Sequence, residues 1–217
     1  MERALIIDKY NTYNDWRLIL TAKSVTPPQA KTKYVNLDGM NGTLDLSEAL
    51  SGEIMYNDRT ITASFLLTDG TFLERNIALQ NIINKIHGKK LQIIDPDYPK
   101  RYFLGRVSVK SFRNVLPYAE MSIEAVCEPW RYAIHDIARK VDVDGQSVDI
   151  IITNNGAKTL CPEITVTGSI EITFGDNHVA LTDGSYKISE LKLYHGINLI
   201  KANGTGSVVF TYREADL

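Results

Sequence analysis

Glycines divide the last third of the chain, at 145, 156, 168, 175, 184, 196, 204 and 206, and most of the gaps match one strand plus its turn. Between them lie short β-branched runs: 148–152, 163–167, 170–174, 179–181, 186–188, 191–193 and 208–212. In the third run Ile170, Ile172 and Phe174 alternate with Glu171 and Thr173, which gives one apolar and one polar face, as a half-buried strand requires. No long helical period interrupts this part. A small β-sandwich is the expected fold.

The first part is mixed. Thr71 stands three residues before Glu74 and can form a capping box with it. Phe72, Leu79, Ile82, Ile83 and Ile86 then recur at helical spacing as one apolar stripe. Gly88 falls where a left-handed C′ residue is expected, with Lys89 and Lys90 at the negative end of the dipole. The spacing predicts one helix near 71–87. Strand patterns surround it at 60–67, 90–94, 103–109 and 121–127, with a turn at 95–99.

A cut near residue 132 separates 17 basic and 15 acidic residues from 7 basic and 11 acidic ones, and both tryptophans, Trp16 and Trp130, fall on the first side. Two domains are expected, 1–132 and 133–217. The fold class is mainly β: an α+β first domain of sandwich type with one helix, then a β-sandwich.

Chemistry is poorly signalled. The chain has no Gly-x-Ser-x-Gly elbow and no P-loop, and Gly204-Thr205-Gly206 lacks the later glycine of a dinucleotide fingerprint. The histidines at 87, 135, 178 and 195 are scattered, with no His-x-x-x-His pair. Asp142 and Asp144 read as outward carboxylates on a strand end rather than as a calcium site, which needs six or more organised oxygens. Cys127 and Cys161 are too few for a thiolate zinc site or a disulfide framework and read as small buried residues. No catalytic, cofactor or metal role is therefore expected. A formal charge of −2 lacks the basic excess of a general nucleic-acid binder. No apolar run reaches membrane-spanning length, and the apolar start is too short for a signal peptide.

The stretch 37–53 is the most unusual. It holds Asp38, Asp45, Glu48 and Glu53, no basic residue, and glycines at 39, 42 and 52. So long a loop in a compact domain is usually functional or disordered. Leu44, Leu46 and Leu50 argue against disorder, since they need something to pack on. An assembly loop is one reading and a solvated loop with a small anchoring cluster the other.

Several short motifs in order carry a family resemblance. They are Tyr13-Asn14-Asp15-Trp16, Pro27-Pro28, Gly39-Met40-Asn41-Gly42-Thr43-Leu44-Asp45-Leu46-Ser47, Tyr56-Asn57-Asp58-Arg59, Gly105-Arg106-Val107, Cys127-Glu128-Pro129-Trp130, Asn154-Asn155-Gly156 and the chain end Phe210-Thr211-Tyr212-Arg213-Glu214. Over nearly its whole length the chain resembles the distal tail proteins of phages and prophages with long, non-contractile tails. That resemblance implies a structural, non-enzymatic virion protein, assembled in the bacterial cytoplasm. It implies a homo-hexameric ring at the tail tip, built by the first domain, with a galectin-like second domain projecting outward. The ring would join the tail tube protein to a tail-tip hub, fibre or tail-associated lysin protein. It would contact no membrane and hold no nucleic acid stably, although DNA passes through it. Leu44, Leu46 and Leu50 are then candidates for the contact between subunits, and replacing Leu44 and Leu46 with Asp is expected to yield monomers. Asp38, Asp45 and Glu48 are candidates for a lumen that repels phosphate. No long arm inserted into the second domain, as some members carry, is visible.

The competing class is a carbohydrate-binding module reading host glycans through the second domain. That domain has no Trp, and Phe174, Phe210 and Tyr212 read as core, so only Tyr186 and Tyr194 remain as a platform.

Overall fold

The computed structural model describes residues 4–217, which divide after Arg131 into two compact units. The first begins with β1 (Ile6–Ile7), β2 (Tyr10–Asn11) and β3 (Ile19–Val25). The short strands β4 (Tyr34–Val35) and β5 (Leu44–Asp45) precede β6 (Arg59–Leu67) and helix α1 (Phe72–Ile86). Then come β7 (Lys90–Ile94), β8 (Arg101–Val115) and β9 (Tyr118–Ala133), whose last two residues belong to the second unit. These strands follow the order β2-β1-β7-β8-β9-β6-β3 in an eight-stranded sheet whose last member, near the chain end, pairs with β9, and β4 pairs with β5 apart from it.

The helix forms where its capping signals stand. The Thr71 hydroxyl accepts the Glu74 N–H at 3.3 Å, and the Glu74 carboxylate accepts the Thr71 N–H at 2.7 Å. That second bond holds the Glu74 pKa below its ordinary value. At the other end Gly88 takes φ +74°, and Lys89 Nζ donates to the Asn84 carbonyl at 3.1 Å. Thr71→Ala is expected to lower the stability of this unit by about 1 kcal/mol, seen as a lower urea midpoint at unchanged slope.

Along α1 the buried side chains are Arg75, Leu79, Ile82 and Ile86, while Ile83 is half-buried. Phe72, expected in this stripe, is half-exposed instead. It occupies the first turn, where Asn114 of β8 donates to its carbonyl and Arg75 takes the buried position. Below the helix lie Phe65, Phe103, Val107, Ile123 and Cys127, all buried in one core. A buried carboxylate, Asp95, is held at the sheet margin by Lys23 Nζ, which also reaches Asp97 at 2.8 Å.

The second unit comprises β10 (Ile137–Asp144), β11 (Val148–Asn154), β12 (Glu163–Phe174), β13 (Asn177–Leu181), β14 (Gly184–Lys187), β15 (Gly196–Tyr212) and β16 (Ala215–Asp216). β15 is its spine. On one side it pairs with β11 and then β10, and on the other with β12, which carries β14 and β13 on its far edge. Ile164, Val166, Ile170 and Ile172 of β12 point inward with Ile200, Ala202, Val208 and Phe210 of β15. The two runs at 163–167 and 170–174 are one strand, because Gly168 continues the ladder opposite Gly206 instead of ending it. The run 191–193 is no strand: Leu160 and Leu193 form a lone bridge, and both Leu191 and Leu193 are buried.

The Asn154-Asn155-Gly156 motif is structural. The fully buried Asn154 amide donates to the carbonyls of Lys158 and Leu193, and its oxygen accepts the Gly156 N–H at 3.0 Å. Glu214 Oε1 accepts from the Asn155 backbone at 2.9 Å and from its side chain at 3.0 Å. A residue near the chain end thus closes the β11 loop with a charge-assisted pair of bonds. Among the described residues no helix is long and apolar enough to cross a membrane.

Candidate functional site

The chain between β3 and β6 leaves the main sheet as an arm. Its base is zipped by main-chain bonds, Thr26 N–H to Thr60, Asn57 N–H to Gln29 and Lys31 N–H to Met55. The ladder continues through the Tyr34↔Asp45 and Val35↔Leu44 pairs of β4 and β5, and Leu46 N–H donates to Lys33 at 2.8 Å. These bonds give the stretch 37–53 an ordered backbone, as an element that must keep its shape requires.

Its side chains are not covered. Leu50 is 100% exposed, and Tyr34, Leu37, Met40, Leu44, Ile54 and Met55 are also exposed. Leu46 alone of the three leucines is half-buried. Asp38 and Glu48 are exposed, while Asp45 is tied down by accepting the Ser47 N–H at 2.9 Å and the Ser47 hydroxyl, which lowers its pKa. Ile54 and Met55 are not singled out by the sequence reading, although the signal is there: large apolar residues in a segment too polar and too long to bury them. Apolar side chains gathered on one exposed element mark an interaction surface.

A groove of about 530 Å³ lies elsewhere in the first unit, where α1 meets the turn between β2 and β3. Leu67, Ala78, Ile82 and Trp16 give it apolar walls. The turn is rigid. Asn11 Oδ1 accepts the N–H groups of Tyr13 and Asn14, Asp15 Oδ2 accepts the Asn11 N–H, and the Tyr10 and Trp16 rings lie 5.1 Å apart.

Residues with chemical potential stand apart from both places. The Cys127 thiol is buried, and its pKa is pushed up to about 12 by burial, so it stays protonated and unreactive at neutral pH. Cys161 is half-buried, with its thiol 3.0 Å from the Ile188 carbonyl. His87 Nδ1 accepts the Val109 N–H, and His195 Nδ1 lies 3.0 Å from the Gly156 carbonyl. Asp142 and Asp144 are exposed, and Asp142 pairs with Lys140 at 3.2 Å. Among the described residues no three His, Cys, Asp or Glu side chains gather as a metal site.

In the second unit Phe210 and Tyr212 are buried and Phe174 packs against the core. Tyr186 also leans on that core, and its hydroxyl donates to the Thr182 carbonyl at 3.0 Å. Tyr194 therefore stands as a single exposed ring of the two proposed for a sugar platform. The groove beside Tyr186 is polar, with Arg213 bound to Asp136 through two bonds of 2.6 and 2.8 Å.

No family model matches the chain, and no curated protein matches it. Among solved structures, the Dit protein (gp 19.1) of SPP1 aligns over 98% of this chain and 99% of its own, with TM-score 0.73 and 14% identity. That protein is described as a paradigm of the hub adsorption apparatus in phages infecting Gram-positive bacteria. The chain shares its fold across both units, mainly β with sandwich-type sheets and one helix.

Proposed function

We propose that the protein is a structural component of a phage tail tip, and that six copies form a ring through their first units. The observation that carries this reading is the arm: an ordered backbone presenting leucines, methionines and an isoleucine with nothing of its own chain over them. The whole-length likeness in fold to a phage hub protein supports the same assignment. A ring of more than two subunits uses two different surfaces on each, and an arm reaching its neighbour is one such surface.

One face of the ring would seat on the tail tube protein and the other would receive the hub, fibre or lysin component. The role is geometric and involves no catalysis. Asp38 would line the lumen or its mouth, where its carboxylate repels passing DNA and keeps it from sticking. The second units would project outward. Negative-stain images of the purified protein are expected to show sixfold rings; a field of dispersed single particles would contradict the reading. A glycan array should stay blank. Binding that is lost on Tyr194→Ala would restore the carbohydrate reading.

A further inference from the structure

Two buried donors in the groove beside α1 have no acceptor among the described residues. Arg75 is 3% exposed, in a groove whose acidic members are engaged locally. Its Nε donates to Asn114 Oδ1 at 3.0 Å and one terminal nitrogen to the Gly70 carbonyl at 2.7 Å, but Nη2 has no partner among the described residues. Trp16 is 8% exposed, and its indole N–H is likewise without a partner. Leaving such donors unmet costs about 1–3 kcal/mol each, and more for a charged group. Both side chains line the same groove.

The carboxylates nearby do not answer this need. Asp15 Oδ2 accepts the Asn11 N–H, Glu74 Oε2 accepts the Thr71 N–H, and Asp69 Oδ1 lies 3.5 Å from the Thr68 hydroxyl. Arg17 and Lys85 also stand at the groove, so three basic side chains face three acidic ones there, and the Arg75 Nη2 is still left without an acceptor among the described residues. What fits is a ligand with an apolar part for Leu67, Ala78 and Ile82 and an acceptor, best a carboxylate, for the two donors.

The arm offers that combination. Leu50 is wholly exposed, and Glu48, two residues before it, is exposed as well. The Gly52 N–H to Glu48 carbonyl bond of 2.8 Å curls the backbone around Leu50 and places it at a turn. Resting on the ring reading, we propose that the groove is the receiving surface for a second copy of this chain: Leu50 of one subunit enters between Ala78 and Ile82 of the next, and the Glu48 carboxylate accepts from Arg75 and Trp16. Donation from these two groups to the incoming carboxylate gives the contact direction, since arm and groove differ and each subunit uses both.

The test is covalent capture in the 217-residue chain carrying Cys161→Ser, with Cys127 left in its buried position. Leu50→Cys combined with Asn81→Cys, an exposed residue of the groove, should give on mild oxidation a ladder of linked chains ending at six. Neither single variant should pass beyond a dimer. Glu48→Gln and Trp16→Phe should each raise the concentration of half-assembly by roughly tenfold. Glu48 is exposed, so its variant does not endanger folding. A hexamer that gives no ladder and is indifferent to Glu48→Gln overturns the groove assignment and leaves the ring standing. A chain monomeric at every concentration overturns both.

Discussion

Gly206→Ala unfolds the second unit. Gly206 holds φ +138° in the middle of β15, a region that side-chain-bearing residues enter at a cost of about 1–3 kcal/mol. A Cβ there would lie 1.9 Å from the Thr167 carbonyl oxygen and 2.9 Å from its carbon. Those atoms are backbone of β12, paired to β15 over its length, so no side chain can rotate away. Strain and clash together exceed about 4 kcal/mol, most of what a small domain possesses. Gly145→Ala is the control: its φ is +91°, yet nothing lies within 4 Å of the added carbon, so only the backbone term of about 1 kcal/mol applies. Because both tryptophans lie in the first unit, their emission should persist in Gly206→Ala while much of the far-ultraviolet β signal is lost. Native-like spectra and an unchanged melting profile would contradict the close approach of β12 and β15.

Leu44→Asp with Leu50→Asp dissociates the assembly and leaves the subunit folded. Both side chains are exposed within the chain, so removing them costs the isolated subunit little. If a neighbour covers them, each supplies about 1.5–3 kcal/mol to every contact, and the pair roughly a factor of 10² to 10⁴. The loss recurs at each interface around a ring. Light scattering should show the variant at the mass of one chain, with the melting temperature of the isolated subunit. A variant that retains the wild-type mass would remove the arm from the contact. The Leu44 and Leu46 pair is a less clean probe, because Leu46 is half-buried within the arm itself and its backbone closes the Lys33 bond.

The sequence made local structure readable where one short rule decided it. The Thr71/Glu74 box and Gly88 set both ends of α1, and alternation in Ile170, Ile172 and Phe174 set the inward face of β12. Rules that depend on distant partners were silent. β1, β2 and β4 are two-residue strands without periodicity, and they exist because longer neighbours or each other supply the bonds. Phe72 carries the right spacing but sits half-exposed at the first turn, where Asn114, far along the chain, bonds its carbonyl. The leucines of 37–53 could be recognised as needing a cover, yet the groove with Trp16 and Arg75 could not, since its two unmet donors come from a turn and a helix that meet only in the folded unit.

The motifs behind the family resemblance divide in the same way. Asn154 and Glu214 hold a loop of the second unit, and Cys127 packs in the first core, so these residues carry the fold. The Gly39–Ser47 stretch belongs to the exposed arm, and Trp16 lines the groove beside α1. A shared fold at 14% identity fits this division, because core packing tolerates exchange of side chains if pattern and volume are kept.

Native mass spectrometry of the purified 217-residue chain reads the closed ring by its mass. A dominant species at six times 24.4 kDa is expected, persisting on dilution until it gives way to single chains. A single species of 24.4 kDa at all concentrations, or a twofold assembly that never closes further, would contradict it.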